Sequence, residues 1–170
     1  MQFTDSQITR YSRQMILSEV GGKGQKKLQD AKVLVIGAGG LGSPSALYLA
    51  AAGIGTLGLT DGDVVDLSNL QRQILHTTDR IGIPKVESGG QLLAALNPET
   101  NLQLYPEHVS KDNIMPLLEQ YDIILDGSDN FSTRFLINDA CFFAKKTLIS
   151  GSIFRFEGQL ATIKPHEGFP

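Results

Sequence analysis

This chain has almost nothing to oxidise and no stretch suited to a bilayer. Cys141 is the only cysteine in 170 residues, which excludes an internal disulfide framework and fits a reducing compartment. The longest apolar runs fall far short of the roughly 20 residues that cross a membrane. The start, Met-Gln-Phe-Thr-Asp-Ser, lacks the basic-then-apolar pattern of a signal peptide. Neither sign of charge dominates: the net charge is −3, so nucleic acid and anionic membranes find no general attraction, and any basic patch must be local. The three histidines, His76, His108 and His166, show no ligand or triad spacing and read as incidental. What remains is the composition of an ordinary soluble, cytoplasmic protein, 41% hydrophobic and 19% charged, long enough for one domain with a single substantial core.

Against that background the elements alternate. Ile8, Tyr11, Met15 and Ile16 recur at helical spacing behind Thr4 and predict an amphipathic helix over residues 4–18. Gly21-Gly22-Lys23-Gly24 reads as a flexible break, followed by a short helix from Gln25 to Gln29. Apolar strands are predicted at 33–36, 56–60, 102–105, 122–126 and 147–150, with helices at 43–52, 86–96, 114–120 and 132–144 between them. One or two further, antiparallel strands are predicted between Ile153 and Ile163. Strands alternating with helices mean a Rossmann-like, mainly parallel α/β sheet with flanking helices. A helical segment, residues 1–30, precedes a nucleotide-binding domain, residues 31–170. Cys141, between Ala140 and Phe142-Phe143, reads as a buried core residue.

The first strand runs straight into Gly37-Ala38-Gly39-Gly40-Leu41-Gly42. Strand, glycine turn and helix in that order make a phosphate site. Gly37 permits the tight turn, Gly39 lets backbone approach the phosphates, and Gly42 allows close packing of a helix whose N-terminus offers free N–H groups. Asp61 ends the second strand, where an acid bonds ribose hydroxyls. These features alone point first to an NAD-linked oxidoreductase.

The residues beyond Asp61 favour a different nucleotide. The long polar segment from Gly62 to Pro84 carries Asp63, Ser68, Asn69, Arg72 and Gln73, and Lys85 follows it. Arg72 and Lys85 suit a polyphosphate; the bland alternative is solvated surface charge. After the fourth strand comes Asp126-Gly127-Ser128-Asp129-Asn130, which the topology brings to the same crevice. Asp129 suits a magnesium ion bridging phosphate oxygens, or Asp129 or Ser128 simply caps the next helix. Taken together the groups suit ATP.

Arg-Tyr-Ser-Arg-Gln at 10–14, the glycine turn through Pro44, Asp-Gly-Asp-Val-Val-Asp-Leu-Ser-Asn-Leu-Gln-Arg-Gln at 61–73, Pro84-Lys85 and Asp126 to Asn130 resemble the MoeB/ThiF/HesA adenylyltransferases, bacterial relatives of ubiquitin-activating enzymes. The resemblance implies adenylation of the C-terminal glycine carboxylate of a small ubiquitin-like sulfur-carrier protein ending in Gly-Gly, with release of pyrophosphate. It further implies that Gly40 touches the phosphates and Asp61 the ribose. Ser68, Asn69, Leu70, Gln71 and Arg72 line the nucleotide, and Lys85 meets its phosphates. Asp129 holds magnesium, with Asn130 beside it, and Arg13 reaches the phosphates of a neighbouring subunit in a homodimer. Arg13 otherwise reads as a solvent-facing helix arginine. Members of this family continue past the present endpoint into a part with paired Cys-x-x-Cys zinc ligands, so the chain reads as truncated, with zinc expected only in the missing part. An inactive nucleotide-binding fragment is the third alternative.

Overall fold

A computed structural model describes residues 3–167. Its sheet has the strand order β3-β2-β1-β4-β5-β6, with β1 Lys32–Ile36, β2 Thr56–Thr60, β3 Asn101–Tyr105, β4 Ile123–Asp126, β5 Thr147–Phe154 and β6 Glu157–Ile163. The first five are parallel and β6 returns antiparallel along β5, the Rossmann-like sheet expected from the alternation. The helices are α1 Asp5–Met15, α2 Gly21–Asp30, α3 Gly42–Ala52, α4 Lys85–Leu96, α5 Ile114–Leu118 and α6 Phe131–Ala144.

Period-two alternation in β1 divides the core between the two faces of the sheet. Val33 and Val35 pack with Ala46 and Ala50 of α3 and Leu93 of α4. Leu34 and Ile36 face the other way, onto Ile114, Leu118, Ile137 and Cys141. Each fully buried Leu or Ile contributes roughly 1.5–3 kcal/mol, and β1 buries Val33, Leu34, Val35 and Ile36 almost completely. Burial pushes the Cys141 thiol up to about 12, which removes it as a nucleophile.

The N-terminal segment departs from its expected form. Thr4 closes a capping box with Gln7, and α1 ends at Met15, leaving Ile16 as its cap. Gly21 to Gly24 do not form a flexible break: they are the first turn of α2. Tertiary packing overrides the low helix propensity of glycine here. α1 is pinned to its own chain, because the buried Tyr11 hydroxyl accepts from Asn97 Nδ2 at 2.8 Å and Gln14 Nε2 donates to the Ala52 carbonyl at 2.8 Å. Ile8, Ile16 and Leu17 stay largely exposed.

The sheet order places the site. β1 lies between β2 and β4, and the connections leave β1 in one direction and enter β4 from the other. A crevice therefore opens beyond the carboxyl ends of these strands.

Candidate active site

The crevice has a volume of about 460 Å³, and Gly37, Gly39, Gly40, Asp61, Arg72, Lys85, Asp129 and Asn130 line it together. Its floor is the turn between β1 and α3. Gly37 takes φ +95°, a left-handed value costly for other residues. A Cβ on Gly42 would fall 1.7 Å from the Gly37 carbonyl oxygen, and one on Gly37 would fall 2.9 Å from that of Gly127. Gly42 is thus required by packing and does not line the crevice. Gly39 and Gly40 are different: an added Cβ would meet nothing closer than 3.5 Å, the Gln73 amide and the Arg72 stem. Neither N–H finds a backbone acceptor among the described residues. Their backbone faces open crevice.

One wall consists of groups already committed to protein partners. Asp61 is buried; its Oδ2 accepts from Ala38 N–H at 2.8 Å and its Oδ1 from Asp63 N–H at 2.8 Å. Lys85 Nζ lies 2.8 Å from Asp63 Oδ2 and 4.0 Å from Asp61 Oδ1. The hydrogen bond from Lys85 holds the Asp63 carboxyl below its usual range. The segment between β2 and α4 is built locally: Asp66 caps a tight turn over Leu67–Asn69 by accepting from Ser68 N–H at 2.8 Å. Asn69 Oδ1 then accepts from Arg72 Nη2 at 3.0 Å and Gln73 Nε2 at 3.1 Å. Ser68, Leu70 and Gln71 sit on this turn outside the crevice lining, and Asn69 acts through its two partners.

The opposite wall follows β4. Asp126 is buried and accepts from Ser128 N–H at 2.9 Å. Asn130, not Asp129 or Ser128, caps α6, accepting from Thr133 N–H at 2.9 Å. Asp129 is exposed, and among the described residues its side chain accepts one hydrogen bond, from Asn130 Nδ2 at 3.5 Å. Arg134 donates to the Gly151 carbonyl at 2.9 Å and to that of Ser128, tying this wall to β5. Arg13 lies on α1, exposed and away from the crevice lining.

A family profile described as the ThiF family matches residues 11–169. The chain belongs to the ThiF family. It is similar to "Adenylyltransferase and sulfurtransferase MOCS3" of Culex quinquefasciatus, 50% identical over 99% of this chain and 38% of that protein. It is also similar to "Sulfur carrier protein adenylyltransferase" of Thermus thermophilus, 46% identical over 95% of this chain and 59% of that one. The chain spans about two-fifths to three-fifths of the length of these relatives. Among solved structures, PaaA superposes with TM-score 0.83 at 28% identity, covering 94% of this chain and 51% of PaaA. Escherichia coli MccB, solved with AMPCPP and MccA, gives TM-score 0.82 at 27% identity, covering 92% and 48%.

Several residues of this ThiF-family crevice were not expected from the sequence. Arg134 braces the β4 wall, and Glu107 and His108 line the crevice. Asp63, noted in the polar segment without a role of its own, partners Lys85. His76, read as incidental, is buried and bonds both the glycine turn and α4. Only Asp63 carried a local signal, as an acid two residues beyond Asp61. The partners of His76 are 12 and 38 residues away.

Proposed function

We propose that the crevice binds ATP and that the protein containing this chain adenylates the C-terminal glycine carboxylate of a small ubiquitin-like sulfur carrier ending in Gly-Gly. The observation that carries the reading is one crevice combining unpaired glycine N–H groups, two cations, Arg72 and Lys85, and an uncommitted carboxylate, Asp129. The names of the relatives support it, as does the presence of AMPCPP, an ATP analogue, in the MccB structure.

The chemistry asks little of the protein beyond position and charge. The carrier carboxylate is already ionised at pH 7 and needs no general base. One of its oxygens forms a bond to the α-phosphorus, the bond from that phosphorus to the β-phosphate bridge breaks, and pyrophosphate leaves with its electron pair. The Gly39 and Gly40 N–H groups, Arg72 and Lys85 stabilise the charge that moves onto the leaving group. Asp61 orients the ribose with the lone pairs not given to Ala38 and Asp63. Asn130 lines the crevice beside Asp129, while Ser68, Asn69, Leu70 and Gln71, outside the lining, support it through the turn that carries Arg72 and Gln73.

Magnesium fits this donor set. Among the described residues no three His, Cys, Asp or Glu side chains gather into an all-protein metal site. A single free carboxylate plus phosphate oxygens and water is the usual magnesium environment. Asp129 would hold the ion, which supplies further neutralisation of phosphate charge.

The active species is a homodimer in this reading, with Arg13 serving the neighbour's crevice. Exposed Ile8, Ile16 and Leu17, on the same N-terminal segment as Arg13, support a contact surface there. The fixed docking of α1 means that the neighbour must come to Arg13, not the helix to the neighbour. The cytoplasm is the proposed site of action, consistent with a lone reduced thiol. No helix among the described residues is long and apolar enough to cross a membrane.

ATP–pyrophosphate exchange with candidate carriers ending in Gly-Gly tests the activity. Exchange that appears only with carrier is expected. ATP binding with no exchange for any carrier, in a protein extended to the length of its relatives, refutes it.

A further inference from the structure

The Ala38 peptide is held from both sides. Its N–H donates to buried Asp61. Its carbonyl meets His76 Nε2 at 2.9 Å and accepts from Ser43 Oγ at 3.2 Å. The other ring nitrogen of His76, Nδ1, lies 3.0 Å from Ser88 Oγ. A carbonyl only accepts, so Nε2 carries the ring hydrogen and Nδ1 accepts from the Ser88 hydroxyl. His76 and Ser88 are buried, and Ser88 stands one turn along α4 from Lys85. The charged groups facing the ring are Asp61 just after β2, Lys85 from α4 and Arg80 from the turn before α4. Burial holds the imidazole below its ordinary range, so the ring is neutral at pH 7 and has one hydrogen to give.

That hydrogen, with the Ser43 hydroxyl, holds the Ala38 carbonyl and so sets where the next amide points. The Ala38–Gly39 peptide is trans, since the described residues contain no cis bond. Carbonyl and N–H of a trans peptide point in opposite directions. With the carbonyl drawn to the buried side by His76, the Gly39 N–H is left facing the crevice, where it has no acceptor.

We propose that His76 is the positioning residue of the phosphate turn: through the Ala38 carbonyl it aims the Gly39 N–H at the nucleotide phosphates, and through Ser88 it fixes that amide relative to Lys85. This rests on the ATP reading above. His76 touches no substrate and acts only through the peptide it holds.

ATP affinity measured by calorimetry on the full chain tests it, with two variants. His76→Phe keeps ring volume but donates nothing, and is expected to weaken ATP binding about tenfold. His76→Gln places an N–H at similar reach and is expected to recover most of that loss. A purely structural role would lower the melting temperature of both variants and leave ATP affinity alone. The proposal is overturned if folded His76→Phe binds ATP within about twofold of the parent, or if His76→Gln is as impaired as His76→Phe. If the parent chain itself binds no ATP, the nucleotide reading fails instead. NMR then decides the clamp separately: the Gly39 amide resonance must shift in His76→Phe and return in His76→Gln, and an unmoved resonance refutes it.

Discussion

The two walls of the crevice differ in how much of their bonding is already spent. On the β2 side, Asp61, Lys85, Asn69 and His76 are all bound to protein, three of the four being buried. On the β4 side, Asp126, Asn130 and Arg134 are bonded too, but Asp129 is exposed and almost without partners. Buried, bonded groups pre-organise a site and cost nothing to reorient when a ligand arrives. A free carboxylate contributes only when something charged comes to it. The difference teaches that one wall shapes the nucleotide pocket and the other waits for the metal-bearing phosphates, so loss of a residue should read differently on each side.

The largest effect is expected on the waiting wall. Asp129→Ala should lower exchange by about a hundredfold or more while ATP still binds, because charge neutralisation matters most as pyrophosphate departs. Mixing these subunits with Arg13→Ala subunits, in a protein of the relatives' length, should return part of the activity, since one site then has both residues. Full exchange in Asp129→Ala removes that assignment. Heterodimers that form but remain silent remove the trans role of Arg13.

A middle-sized effect is expected on the committed wall. Asp61→Ala should weaken ATP binding by roughly 1–3 kcal/mol, as an acceptor for the ribose is lost and Ala38 N–H is left unpaired. Calorimetry measures it, with melting temperature recorded alongside. NAD should not compete at comparable concentration; competition would revive the oxidoreductase alternative.

The smallest effect concerns Asp63, whose carboxyl is held below its usual value by Lys85. A lowered folded value means that the stabilisation is present above the unfolded value near 3.8 and is lost as pH falls through the folded one. Asp63 is more than half exposed, so the contribution is modest. The melting-temperature gap between the parent and Asp63→Asn should narrow on acidification below about pH 4. A gap independent of pH refutes the pairing.

Much of this was legible in the residues. The alternation of strands and helices, the glycine turn and the convergence of Asp61, Arg72, Lys85 and Asp129 follow from apolar periodicity and from where α/β crevices open. What escaped was non-local. Gly21, Gly22 and Gly24 carry a strong local signal for a break, yet they open a helix whose Gln25 side chain bonds the Ala52 carbonyl at the end of α3. Ser128, Asp129 and Asn130 are all competent caps, and only the tertiary path selects Asn130. A histidine reveals nothing in sequence about a carbonyl 38 residues away.

Gly37 and Gly42, at the two ends of one turn, and Gly127 just after β4 crowd one another: a Cβ on Gly42 would fall 1.7 Å from the Gly37 oxygen, one on Gly37 2.9 Å from the Gly127 oxygen, and one on Gly127 3.1 Å from the Gly42 nitrogen. Seen as heredity, any change in the first two bases of these three codons replaces the glycine and crowds the backbone at the floor of the crevice. The neutral drift open to Gly39 and Gly40 on packing grounds is closed to this trio, whatever ligand the crevice serves.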